Sequence, residues 1–123
     1  MSETPRLSVI MPVYNEEGAI VAAVDEVKQF ILPLVPESEL VVVDDGSNDA
    51  TGRLLVAAAS SDRRVRVIHQ PNGGHGAALL TGLKAATGEY IFLIDSDRQI
   101  PLDNFTAAWT EVMAGRDAVF GVR

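Results

Sequence analysis

Two aspartates one residue apart, Asp95 and Asp97, close an apolar run in the stretch IFLIDSDRQIP (91–101). In an extended chain, residues i and i+2 project to the same side, so these carboxylates crowd together. At about 4 Å and an effective dielectric near 20, two such charges repel by about 4 kcal/mol. Water, a shared proton or a cation can relieve that repulsion. Solvation in a loop is the plain reading, but charge concentrated at the end of an apolar strand favours a cation. Mg2+ and Mn2+ prefer oxygen ligands, and Mg2+ commonly takes one or two carboxylates together with substrate phosphates. Gln99, two residues further on, adds a carbonyl oxygen on the same side. The expected centre is a Mg2+ or Mn2+ seat of Asp95, Asp97 and Gln99, with Arg98 and Arg123 as sources of positive charge for an anionic ligand.

Other polar clusters also follow apolar runs. Tyr14-Asn15-Glu16, Asp44-Asp45-Gly46-Ser47, the stretch HQPNGGHG (69–76) and Arg123 each stand directly after one. Taken singly they have ordinary explanations. DGSND reads as a turn with glycine at positive φ, followed by a helix cap. Asp44 fits that account less well, because it closes a strand. NGGHG is a glycine-rich entry to a helix, suited to close backbone approach or to an anion at the helix N-terminus. It lacks the GxxxxGK[ST] pattern of a P-loop. His69 and His75 have no HExxH spacing or cysteine partner, so they read as loop residues rather than zinc ligands.

The elements that must carry these clusters alternate in type. Short β-branched runs at 7–13, 40–43, 65–68, 90–94 and 118–120 read as buried strands. Between them, 17–32 has apolar residues at helical spacing (Ile20, Ala23, Val24, Val27, Phe30, Ile31), and 49–59, 76–86 and 101–114 read as further helices. The third of these is expected to stop at Gly88 in the αL conformation, and the fourth carries Pro101 near its first turn. Strand–helix alternation predicts βαβ units and a parallel sheet with helices on both faces. In such sheets ligands bind at the carboxyl ends of the strands. All five clusters then share one sheet edge, which is the strongest argument for a site.

Composition limits the remaining choices. The 123 residues suffice for one domain; 47% are apolar, 22% are charged and the net charge is −7. An acidic chain is a poor nucleic-acid binder, because phosphate contacts need a basic surface. The absence of cysteine excludes disulfides, thiolate catalysis and cysteine-type zinc sites. The N-terminal stretch has no basic segment followed by an apolar core, and no apolar run approaches the ~20 residues that span a bilayer. The expected setting is cytoplasmic.

PVYNE (12–16), VVDDGSNDAT (42–51), NGGHGAAL (72–79) and LIDSDRQIP (93–101), in this order, resemble the nucleotide-binding half of the inverting glycosyltransferase family 2 with the GT-A fold. The look is nearest to the polyprenol-phosphate (dolichol-phosphate) mannose and glucose synthase group. The resemblance implies a Rossmann-like, mostly parallel sheet with residues 1–123 as the nucleotide-sugar-binding half, an N-terminal fragment of a longer catalytic domain. It implies that Pro12, Tyr14 and Glu16 line the nucleoside pocket and that Val42 and Asp44 contact the base, Asp44 accepting a ring N–H. It puts Asp95 near the ribose and metal, with Ser96 among the donor contacts. Asp97 becomes the principal metal ligand, Gln99 an additional one, and Arg123 a phosphate contact. The segment FGVR departs from the family's VxGSR-like pattern at Val122, and His75 stands where many relatives have lysine.

The implied reaction moves a sugar from a GDP- or UDP-sugar to an acceptor with inversion. A polyprenyl phosphate acceptor, met at the inner face of a membrane, is already anionic. A saccharide hydroxyl would need a carboxylate base, which in this family lies beyond Arg123. An open sheet edge would favour self-association. Two other classes fit less well, and a third stays open. A signalling receiver domain places its acidic pair after the first strand and a lysine after the fifth. A nucleotidyltransferase carries a basic glycine-rich loop where this chain has YNEEG. A non-catalytic nucleotide-sugar binder would share the donor half alone.

Overall fold

The computed structural model describes residues 6–96, 107, 109 and 110. Four strands, β1 (Arg6–Val13), β2 (Glu37–Asp45), β3 (Val65–Gln70) and β4 (Tyr90–Leu93), form one sheet in the order β3-β2-β1-β4. Every pairing is parallel, with Val9 opposite Leu40 and Phe92, and Val42 opposite Val67. Three helices connect them: α1 (Ile20–Phe30), α2 (Thr51–Ser60) and α3 (His75–Ala85). The expected strand at 118–120 lies outside the described residues. So does most of the helix expected at 101–114, of which residues 107, 109 and 110 are described and helical.

Strand alternation sorts the core into two layers. Leu7, Val9, Met11 and Val13 of β1, with Leu40 and Val42 of β2 and Phe92 of β4, face the layer shared with Ile20, Val24 and Val27 of α1 and Leu55 of α2. Ile10, Val41 and Val43 face the other way, against Ala78 of α3. Helices therefore cover both faces, as the alternation predicts. Ile20, Val24 and Val27 are fully buried, each gaining about 1.5–3 kcal/mol over an exposed position. Trp109 packs at the rim of the first layer, its ring edge-on to Tyr90 at 5.5 Å.

α3 lies close on the sheet because of Gly82. A Cβ there would overlap the Cγ2 of Ile10, well inside van der Waals contact. The end of α3 differs from expectation. Gly88 is not in the left-handed region, and Ala86 leaves the helix in an extended conformation. Gly88 is needed for close approach instead: a Cβ would sit 2.7 Å from the Ser8 nitrogen, and its own N–H donates to Ser8 Oγ at 2.8 Å.

Polar groups at the amino edge of the sheet satisfy one another. Arg64 donates to the carbonyls of Leu32, Val35 and Ser38 at 2.7–3.0 Å, tying the 3-10 turn Leu32–Leu34 to the start of β3. Glu39 accepts from Ser8, Thr87 and Arg66. The carboxyl edge is organised differently.

Candidate functional site

The chain turns to opposite sides of β1 on its way to β2 and to β4. Neighbouring strands then lead away in different directions, which opens a crevice at their carboxyl ends. Tyr14 follows β1, Asp44 and Asp45 end β2, and Asp95 and Ser96 follow β4. Ile94 is tied back to β1 by its N–H donating to the Ile10 carbonyl at 3.0 Å.

The loops after β1 and β2 are clasped together. Asn15 N–H donates to Ser47 Oγ at 2.9 Å, and Asn48 N–H returns a bond to Asn15 Oδ1 at 2.9 Å. Glu16 N–H donates to Thr51 Oγ1 at 2.8 Å, and Ala50 N–H to Glu17 Oε1 at 2.8 Å. Asp49 accepts the N–H groups of Thr51 and Glu17. Asn15 holds φ at 51°, a left-handed conformation that asparagine tolerates better than most residues. The two signature loops are thus largely each other's scaffold. α1 begins at Ile20 rather than at residue 17, and the Glu17 side chain instead accepts from the N–H of Ala50 at α2's entry.

The two adjacent aspartates face opposite ways, since β2 runs on through Asp45 and side chains alternate along a strand. Asp44 shares the face of Val42. Its Oδ1 accepts the Ser47 N–H at 3.0 Å, and His69 Nδ1 lies 2.9 Å from its Oδ2. A carboxylate only accepts, so that nitrogen carries the hydrogen. Asp45 turns to the α3 side and lines a cleft of about 270 Å³. Pro12, Val13 and Tyr14 form one wall; Asp45, Asn72, Gly74 and His75 form the other, with Ala78 between. Gln70 first, then the amides of Gly73 and Gly74 and the nearby His75, hold the Asp45 carboxyl below its ordinary value, against the upward push of burial.

The expected site residues divide accordingly. Pro12 and Tyr14 line the cleft, and Tyr14 is 46% exposed. Glu16 is half-buried beside it and engaged through its backbone. Two expectations are corrected. Val42 is wholly buried in the core layer beneath α1 and α2, so its side chain is closed to a ligand. Asp44 points away from the cleft for the reason of parity just given. Asp45, Asn72 and His75 belong to the clusters expected at this edge, but no ligand role was assigned to them individually. The signal was present in the alternation, because Asp45 shares the parity of Val41 and Val43.

At β4, Asp95 is half-buried and Ser96 buried. Among the described residues Asp95 makes no hydrogen bond or ion pair. Asp97, Gln99 and Arg123 lie outside the described residues, as does Arg98. Among the described residues no three histidine or acidic side chains converge as a metal centre. No helix among them is long and apolar enough to cross a membrane.

Comparison with known proteins agrees with this architecture. The model of the family described as Glycosyl transferase family 2 matches residues 8–123. A Bacillus subtilis protein named uncharacterized glycosyltransferase EpsJ is 41% identical over 93 residues, 76% of this chain and 26% of that protein. An undecaprenyl-phosphate 4-deoxy-4-formamido-L-arabinose transferase of Pseudomonas aeruginosa is 35% identical over 119 residues, 95% of this chain and 35% of that protein. Among solved structures, a mannosyltransferase from Pyrobaculum calidifontis in complex with GDP-Man and Mn2+ aligns with a TM-score of 0.77 at 29% identity, covering 92% of this chain and 33% of that one. S. aureus TarS 1-349 in complex with UDP-GlcNAc aligns with a TM-score of 0.75 at 32% identity, covering 89% and 31%. The chain spans between about a quarter and about a third of the length of these relatives.

Proposed function

The chain belongs to glycosyl transferase family 2, and from that premise we propose that residues 1–123 are the donor-binding half of a metal-dependent transferase using a GDP- or UDP-sugar. The observation that carries this reading is an aromatic-walled cleft after β1 and β2 at the same sheet edge as the carboxylate of Asp95, which follows the adjacent strand β4. Pro12 and Tyr14 offer an apolar and aromatic wall to a nucleoside. Glu16 is assigned to the same pocket, and Ser96 and Arg123 to the sugar-diphosphate end.

Asp95 fits a hard cation by the chemistry of its carboxylate, and Asp97 and Gln99 would complete an oxygen donor set. Mg2+ or Mn2+ held there would offset charge on the departing diphosphate. The acceptor oxygen bonds to the anomeric carbon from the face opposite the diphosphate. The bond to the diphosphate oxygen breaks with its electron pair, and the configuration inverts.

A polyprenyl phosphate is the proposed acceptor, supported by the likeness to the undecaprenyl-phosphate transferase over 95% of this chain. Its phosphate oxygen is already anionic, so this reaction requires no strong general base. The enzyme would then work at a membrane surface.

A thermal-shift panel of GDP, UDP and their sugars, with and without Mn2+, tests the reading. Ligand at a hundredfold over its Kd stabilises a folded protein by about 2.7 kcal/mol. No shift with any nucleoside diphosphate would sink the proposal.

A further inference from the structure

His69 reads as a loop residue in the sequence, yet it lies within β3, directly opposite Asp44 of β2 in the parallel register. Partners in register point to the same face of the sheet, which brings the imidazole to the carboxylate. His69 Nδ1 donates to Asp44 Oδ2 at 2.9 Å. The aspartate side chain is buried, 6% exposed, while the imidazole is half-exposed. Asp44 spends its other oxygen on the turn after β2, where Oδ1 accepts the Ser47 N–H at 3.0 Å. Ser47 Oγ in turn accepts the Asn15 N–H at 2.9 Å. Asn15 directly follows Tyr14 of the cleft wall. Three hydrogen bonds therefore lead from β3, through the end of β2, to the loop after β1. The entry of α2 is shaped around the same pair. A Cβ on Gly52 would lie 2.9 Å from Asp44 Oδ2 and 3.6 Å from His69 Cε1. Glycine is a poor helix former, and the room taken by this pair accounts for its presence in the first turn of α2.

We propose that His69 is a positioning residue of the donor cleft: it lines no part of the cleft itself, and acts through Asp44, Ser47 and Asn15 on the placement of Tyr14. The proposal rests on the reading of the cleft as a donor site and deepens it. The imidazole fixes Oδ2, and so fixes the direction in which Oδ1 meets the Ser47 N–H. That bond sets the turn, and the Ser47 hydroxyl then holds the Asn15 backbone in its left-handed conformation. Tyr14 is thereby set in place before a nucleoside arrives, which spares the binding step the cost of ordering that loop.

The test combines calorimetric binding of GDP and UDP, with Mn2+, and solvent exchange of the Ser47 amide by NMR on the 123-residue chain. His69→Leu keeps apolar bulk and removes the donor. The Ser47 amide should then exchange about 10-fold faster, and affinity for whichever nucleotide binds should fall by about the same factor. His69→Asn restores an N–H donor at the same distance along the side chain and should recover most of both losses. Ser47→Ala breaks the chain at a later link. The double variant His69→Leu/Ser47→Ala should therefore bind no more weakly than Ser47→Ala alone, since coupled residues are not additive. A general loss of stability would give neither the rescue nor this coupling. Should His69→Leu fail to fold, Gly52→Ala presses on Asp44 Oδ2 with His69 intact and should speed exchange of the same amide. Unchanged Ser47 exchange or nucleotide affinity in His69→Leu, no rescue by His69→Asn, or additive losses in the double variant would overturn the proposal. A wild type that binds neither nucleotide would instead overturn the donor reading, while Ser47 exchange, read without nucleotide, still tests the hydrogen-bonded chain.

Discussion

Asn15 and Asn48 join the loops that follow the first two strands: the backbone N–H of Asn48 donates to Asn15 Oδ1 at 2.9 Å, while Asn15 itself holds a left-handed φ of 51°. Both belong to the loop that carries Tyr14 at the cleft. Asn15→Ala loses the acceptor and pays for φ with a Cβ that lacks asparagine's local hydrogen bonding. The expected loss is about 1–3 kcal/mol in urea unfolding. Asn15→Asp keeps the Oδ1 acceptor and should come close to wild type, with Asn15→Gly between the two. Equal stability of the alanine and aspartate variants would show that the bond contributes nothing.

Gly82 sets the distance between α3 and the sheet. Alanine has a helix propensity about 1 kcal/mol better than glycine, yet here the added methyl meets Ile10 Cγ2. Overpacking of a close core contact costs about 1–3 kcal/mol, so the clash should win and Gly82→Ala should melt at lower temperature. A rise in melting temperature would mean that α3 can shift away freely, and with it Asn72 and His75.

The carboxyls of Asp45 and Asp49 are both held below their ordinary value of 3.8, the first chiefly by Gln70 and the second chiefly by the Thr51 hydroxyl. A depressed folded-state pKa gives stability that is complete above the unfolded value and is lost as pH falls through the folded one. Urea unfolding between pH 6 and pH 3 should therefore show stability declining on the acid side. Asp45→Asn should flatten that decline, starting from a lower plateau. An identical acid limb in the variant would contradict the assignment for Asp45.

Much of this was legible in the sequence, and the failures have definite causes. Strand–helix alternation yields the parallel sheet and its two covered faces because each apolar run is short and each helix stripe well spaced. Val42 and Asp44 were assigned to the base by resemblance, which carries no information about strand parity. Stopping the strand at 43 leaves Asp44 free to turn, whereas continuing it through Asp45 fixes Asp44 over the α1–α2 layer. The clasp of Asn15, Glu17, Ser47 and Asp49 pairs residues 32 to 33 positions apart, and local turn chemistry contains no information about such pairing. Gly88 reads as a helix stop by type alone, while its real constraint is the Ser8 backbone, 80 residues away.

The outermost described strand, β4, exposes Tyr90, Ile91 and Leu93 by 37–41%. We propose that this apolar edge drives self-association of the 123-residue chain. Light scattering should give a mass above the monomer that rises with concentration, and Ile91→Lys should shift it toward the monomer. A clean monomer for the unmodified chain at high concentration would reject the idea.

The central claim is that the β4 carboxylates seat a divalent ion which in turn holds a nucleoside diphosphate. Calorimetric titration of GDP and UDP into the chain, with Mn2+ or with chelator, tests it most directly. The account predicts binding of at least one of the two that requires Mn2+ and is lost in Asp97→Ala, with Asp95→Ala weakened and the fold of both variants intact by circular dichroism. Equal affinity with chelator, or undiminished Mn2+-dependent binding in the Asp97→Ala variant, would contradict it.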